Sequence, residues 1–229
     1  MGKYTLMNNN KNIIIKNTSE EFFKKNLKDI KQNHQLLRID GLNCFVEVLD
    51  SMVYLNSPKF IINFIKYDPN AKAGSKFLDQ IPIYIDYDKA DALSSMILSG
   101  TLARIKLKAS KEGQKELYRI MGGTLYNPNS KNARADKKDE SRQFIIELGV
   151  KKAFGLIAMS GPGKKDDKGL IVPQYKQNEA EHKVIMGFSD EEMILFARAI
   201  QRKVQAMDLL NESIYQKQIK IMEKLKNEK

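Results

Sequence analysis

Lysine and arginine side chains recur along this chain among tyrosines and phenylalanines. That pairing of residue types can neutralise a phosphate backbone while aromatic rings stack unpaired bases. The candidate set is Lys66, Tyr67, Arg104, Lys106, Lys108, Tyr126, Arg142, Lys151, Lys152, Phe154, Lys164, Lys165 and Tyr175. Lysine far outnumbers arginine. Lysine acts as a mobile point charge, whereas arginine reads guanine edges with two hydrogen bonds, so the balance favours backbone neutralisation over base-specific reading. Tyr67, Tyr126, Phe154 and Tyr175 stand beside turns or charges, and both an exposed stacking role and a core role are open to them. Phe60, Phe64, Phe144 and Phe188 read as core.

The charge is unevenly spread. The 229 residues carry 39 Lys+Arg against 28 Asp+Glu, a formal net charge of +11. Between Thr101 and Lys176 there are 17 basic and 8 acidic residues, so most of the surplus falls there. Such a surplus points to a polyanionic partner.

Other chemistries find little footing. His34 and His182 are the two histidines and share no metal spacing. Cys44 is the single cysteine, which leaves no intrachain disulfide and points to a reducing cytoplasm. Gly161-Pro162-Gly163-Lys164-Lys165 has the flavour of a phosphate loop but lacks the Walker spacing and the following Ser/Thr. It reads as a hairpin loop displaying two lysines. No nucleophile elbow, clustered carboxylates or cofactor motif is present, so the expectation is a protein that is not an enzyme and binds no metal or cofactor. No apolar run is long enough to span a membrane.

The elements that must position the basic set show two similar junctions. Lys183–Phe188 reads as a strand, followed by Ser189-Asp190-Glu191-Glu192 as a capping box and by Met193, Ile194, Phe196, Ala197 and Ile200 at helical spacing. Ile81–Tyr87 reads as another strand, with Asp88–Asp91 as a second capped start and Ala92, Leu93, Met96 and Ile97 as the helix face. Before each junction lie further β-rich runs: 43–49, 52–56 and 59–67 in the first half, 143–150 and 153–160 in the second. Asp50-Ser51 reads as a tight turn. Leu102, Ile105 and Leu107, set among Arg104, Lys106 and Lys108, read as the first strand of the second half. The expected fold is α+β, two repeated units of about four antiparallel strands plus one helix. An N-terminal extension covers residues 1–40, with a helix over about 19–33. The repeats cover about 41–100 and 101–205, and a helical tail covers 206–229.

A repeated unit of four strands and a capped helix, basic on its sheet, resembles the Whirly-type fold of the plant Whirly proteins and their kinetoplastid guide-RNA-binding relatives. The resemblance rests on Ile83–Leu98 and Val184–Ile200, with the strand pairs Phe60–Tyr67 and Phe144–Lys151 before them, and spans about 40–205. The short lysine motif of the plant proteins has no counterpart here. The resemblance implies a homo-oligomer that binds single-stranded nucleic acid across its sheet surfaces, largely without sequence preference. It would serve replication, recombination or DNA transfer in a bacterium, phage or mobile element. DNA is the expected ligand and RNA the alternative. The competing reading is an assembly protein whose basic face docks another protein.

Overall fold

The computed structural model describes residues 6–8, 11–13, 34–51, 59–72, 76–130 and 133–227, with side chains over 34–51, 59–72, 76–130, 133–209 and 212. The chain divides into two compact units, residues 1–35 and 36–229. In the first, β1 (Leu6–Asn8) and β2 (Lys11–Ile13) form an antiparallel ladder that pairs Leu6 with Ile13. The N-terminal extension therefore contains two short strands. The helix expected over 19–33 and the strand expected over 52–56 lie outside the described residues.

The larger unit is α+β and is built on two antiparallel sheets. The first sheet has the order β3-β4-β5-β6, with β3 (Gln35–Asp40), β4 (Cys44–Asp50), β5 (Lys59–Tyr67) and β6 (Phe77–Asp86). The alternation that makes these segments strands is plain in β6: Ile81, Ile83 and Ile85 are buried, while Gln80 and Tyr84 are exposed. The register sets Phe60, Ile62 and Phe64 of β5 opposite those isoleucines on one face. The β4–β5 pairing runs on through Ser51, whose amide donates to the Lys59 carbonyl at 3.0 Å. Asp50-Ser51 is thus part of the hairpin arm and not the turn that the sequence suggested.

Two helices follow, α1 (Tyr87–Leu98) and α2 (Thr101–Glu112). The second corrects the strand expected over 102–108. Leu102, Ile105 and Ala109 fall at helical spacing and face the core, and Gly100 (φ 74°) and Gly113 (φ 70°) bracket the helix in the left-handed conformation that glycine adopts at low cost. The alternation of Ile105 and Leu107 with lysines imitates a strand, but Leu107 is exposed.

The second sheet contains β7 (Glu116–Thr124), β8 (Asp139–Leu148), β9 (Phe154–Lys165), β10 (Ile171–Pro173) and β11 (His182–Phe188). Its order is β10-β9-β8-β7, with β11 pairing an earlier stretch of β9 than β10 does. The last element is α3 (Asp190–Asn227), one continuous helix that takes in the tail expected from 206. It packs beside α1.

Inward residues of both sheets share one core, in which the Phe64 and Phe144 rings lie 6.0 Å apart. Phe60, Phe64, Phe144 and Phe188 are fully buried, as expected from the sequence. Each such ring removed from water stabilises the fold by roughly 1.5–3 kcal/mol. One buried carboxylate joins three elements. Asp50 at the end of β4 accepts from the Tyr87 hydroxyl at 2.8 Å and pairs with Lys203 of α3 at 2.8 Å. Burial, and then that carboxylate, pushes the Tyr87 phenol well above its ordinary range.

The helix starts differ. At α3 the Ser189 amide donates to Glu192 at 2.7 Å and the Glu192 amide donates to Ser189 Oγ at 3.1 Å, which is the reciprocal capping box read from the sequence. At α1 the cap residue is Asp86, its side chain makes no cap bond, and Asp88 lies in the first turn. The capped start expected at Asp88 is therefore absent. Ala92, expected on the buried face, is exposed, and Ala90 takes its place.

Candidate nucleic-acid interface

Strands β6 and β7 are each at the edge of a sheet. Between them lies a groove of about 680 Å³. Lys59, Tyr84, Asp86 and Lys89 line it from the first sheet and α1. From the second sheet come Gly122, Thr124, Leu125, Tyr126, Arg142 and Leu170. Tyr84 is 42% exposed, and the guanidinium carbon of Arg142 lies 5.9 Å from its ring centroid. Thr124 Oγ1 accepts from Arg142 at 2.8 Å and Glu140 pairs with the same guanidinium, so the arginine is held in place. The Tyr126 amide donates to Asp139 at 2.8 Å and fixes the chain as it leaves β7. Lys59 and Lys89 share Asp86, at 3.2 and 3.8 Å.

The groove opens toward a lysine-rich end. The hairpin joining β9 to β10 forms part of its wall through Gly169 and Leu170. Asp166 builds that hairpin by accepting from the amides of Lys168 (3.0 Å) and Leu170 (2.7 Å), and Gly169 sits at φ 84°. Opposite, the loop entering β8 carries Lys137 and Lys138. The β8–β9 ladder ends where Asp139 pairs with Gly163, and Lys138 and Lys164 are the next residues on each chain. Lys137, Lys138, Lys164, Lys165 and Lys168 are all exposed, and none takes part in an ion pair among the described residues.

Arg134 anchors this loop. It bonds Asp136 at 2.8 and 3.0 Å and Glu181 at 2.7 and 2.9 Å. The guanidinium is held above its ordinary range by Glu181 and then by Asp136. Its hydrogen bond brings the Asp136 carboxyl down to about 2 and lowers Glu181 as well.

The far face of the second sheet is taken. Strand β10 and the segment after it fold back over it as a strap, so that Tyr175 and Ala180 cover Ile145, Ile157 and Met159. Glycines make room for the strap. A Cβ on Gly123 or Gly163 would stand 2.8 or 2.6 Å from Ile171, and one on Gly161 would stand 3.0 Å from the Tyr175 ring. Gly161-Pro162-Gly163 is thus strand interior and not the loop expected. The hairpin turn lies beyond it, at 166–170.

The sequence-derived set divides accordingly. Tyr126 and Arg142 come together in the groove, while Lys164 and Lys165 are exposed at the end of β9, next to the hairpin whose Gly169 and Leu170 line it. Arg104, Lys106 and Lys108 lie on α2 and not on a sheet face. Arg104 bonds Thr101 at 3.0 Å and Lys108 pairs with Glu112 at 3.8 Å. Lys106 stands 4.4 Å over the Phe154 ring and pairs with Asp190 at 3.5 Å. Phe154 itself is only 3% exposed, so its ring is core and offers no stacking surface. Lys151 and Lys152 occupy the β8–β9 turn, and Lys152 pairs with Glu192 at 2.7 Å. Partial burial alone would raise the Glu192 carboxyl, but Lys152 and the Ser189 amide hold it below its ordinary range. Tyr175 is part of the strap, and burial pushes its phenol up. Lys66 and Tyr67 sit at the β3–β4 turn, where the Tyr67 hydroxyl donates to the Gly41 carbonyl at 3.0 Å and its ring neighbours Phe45 at 6.0 Å.

Tyr84, Lys59 and Lys89 line the groove, Lys137, Lys138 and Lys168 lie on the loops beside it, and all six were outside the set. The clustering of lysine in the two loops that flank β8 and β9 was the signal available for the last three.

Among the described residues no group of three His, Cys, Asp or Glu side chains could hold a metal ion. Nor, among them, is any helix long and apolar enough to cross a membrane. Comparison with protein-family models, curated proteins and solved structures finds no match to this chain.

Proposed function

We propose that this protein binds single-stranded DNA without catalysing a reaction on it, largely independently of sequence. The observation that carries this reading is a set of five exposed lysines outside ion pairs, among the described residues, on and beside the loops that adjoin a groove holding Tyr84, Tyr126 and Arg142. Cations without carboxylate partners are free to replace condensed counterions along a phosphate backbone. The tyrosines and the arginine plane beside them offer flat surfaces for unpaired bases. Duplex DNA keeps its bases stacked and cannot present them to such a groove.

The order of elements supports the same reading. A run of four antiparallel strands, β3-β4-β5-β6, leads into α1, and a second run, β7-β8-β9-β11, leads into α3. We read these as two copies of one unit, the arrangement that resembles Whirly-type proteins, with α2 and β10 as additions.

The test is fluorescence anisotropy with a labelled oligothymidine of about 30 nucleotides, a matched duplex and a matched RNA, at low and moderate salt. Salt-sensitive binding to the single strand with weak duplex binding is expected. Equal affinity for the duplex overturns the proposal, and tighter binding to the RNA reassigns the ligand. Failure to bind any of the three leaves the basic end as a protein-docking surface.

A further inference from the structure

We infer that Gly122 is a base-admitting residue of the binding groove, bare of a side chain so that a nucleobase can enter. This rests on the single-stranded nucleic-acid reading above and deepens it. Glycine within a strand costs stability, and it marks either a steric demand of the fold or a close approach by something else. The other glycines of the described residues answer to the fold. Gly100, Gly113 and Gly169 have left-handed backbones. The remainder, Gly122 and Gly187 apart, would each set a Cβ within about 3.2 Å of another atom, and at Gly187 one would touch the Lys152 side chain at 3.4 Å. At Gly122 neither applies: the backbone is not left-handed, and a Cβ would meet nothing within 4 Å.

Its position shows what the space serves. Gly122 pairs with Arg142 in the β7–β8 ladder, so a side chain there would share the face of Arg142 and project into the groove beside it. The Arg142 guanidinium already faces the exposed Tyr84 ring at 5.9 Å, and the open space lies beside that pair, over Gly122. A flat, uncharged-faced ligand of the nucleobase class fits over Gly122 against this pair, with its phosphates directed toward Lys138 and Lys164.

The experiment substitutes Gly122→Leu and Gly122→Ala in the full chain, with Lys164→Glu/Lys165→Glu as the parallel variant. Binding of labelled oligothymidine is read by anisotropy, and folding by circular dichroism and melting temperature. Gly122→Leu is expected to melt no lower than wild type and to bind about tenfold more weakly, the loss of roughly one stacked base. Gly122→Ala is expected to fall between the two. Should Gly122→Leu bind like wild type while the lysine variant loses binding, the inference fails and the DNA-binding reading stands. If the wild-type chain itself does not bind the oligonucleotide, both fail. A large drop in the melting temperature of Gly122→Leu shows that the fold needs this glycine, and that also overturns the inference.

Discussion

The two ends of the second sheet both carry lysines but use them differently. At the end formed by the β8–β9 turn and the start of α3, Lys106 and Lys152 are neutralised by Asp190 and Glu192, and Phe154 is sealed beneath them. At the other end, Lys137, Lys138, Lys164, Lys165 and Lys168 are exposed and outside ion pairs among the described residues, with Lys138 in electrostatic reach of Asp136, beside a groove that holds the exposed Tyr84 ring. The acidic first turn of α3 accounts for the difference. Asp190, Glu191 and Glu192 suit the positive end of the helix dipole and draw nearby lysines into structural pairs. What marks a candidate polyanion site is therefore the charge left over after local pairing.

This contrast can be broken in several ways. Phe154→Ala is expected to cost about 3–5 kcal/mol of stability through the cavity it leaves. Chemical denaturation measures that loss, and a near-neutral result would place the ring at the surface after all. The folded fraction should still bind DNA as before. Lys164→Glu/Lys165→Glu should leave the melting temperature nearly unchanged and weaken single-strand binding by on the order of thirtyfold at moderate salt. The dependence of log affinity on log salt should also flatten by about 1.4 for the two lost contacts. The matching Lys151→Glu/Lys152→Glu variant should change affinity less than about twofold, and comparable losses at both ends would erase the distinction drawn here.

Ser189→Ala removes one half of the capping box and should cost about 1 kcal/mol by thermal melting, with no change in DNA affinity. The smallest expected effect is an acid response of the Arg134 clamp. The Asp136 carboxyl is lowered from 3.8 to about 2, so its contribution is complete above about pH 4 and disappears as pH falls toward 2. Amide exchange in the loop entering β8 should accelerate over that window, and Arg134→Ala should abolish the pH dependence.

Much of the scaffold was legible in the sequence because it depends on local periodicity. The alternation of Ile81, Ile83 and Ile85 and the Ser189–Glu192 box are short-range patterns that tertiary structure did not override. Segment 101–112 was misread because Arg104, Lys106 and Lys108 alternate with apolar residues as a strand would. The glycines that bracket it and the buried Ala109 were the stronger evidence. The site was less legible, for a physical reason. Whether a lysine is free depends on carboxylates far along the chain, as with Lys152 and Glu192, 40 residues apart. Whether a tyrosine is exposed depends on what folds over it, and Tyr175 is held down by room that Gly161 leaves.

That room has a consequence for tracing this protein's ancestry. Gly161 and Gly163 lie two positions apart on one strand, with Ile171 ten residues and Tyr175 fourteen residues after the first of them, and the four fit together sterically. A side chain at either glycine displaces the strap, while most surface positions tolerate exchange. Distant kin should therefore keep a Gly-x-Gly pair followed at those intervals by a branched apolar residue and an aromatic ring. Such a signature, joined to a Ser-x-x-Glu helix start, can be sought in chains whose overall resemblance has faded.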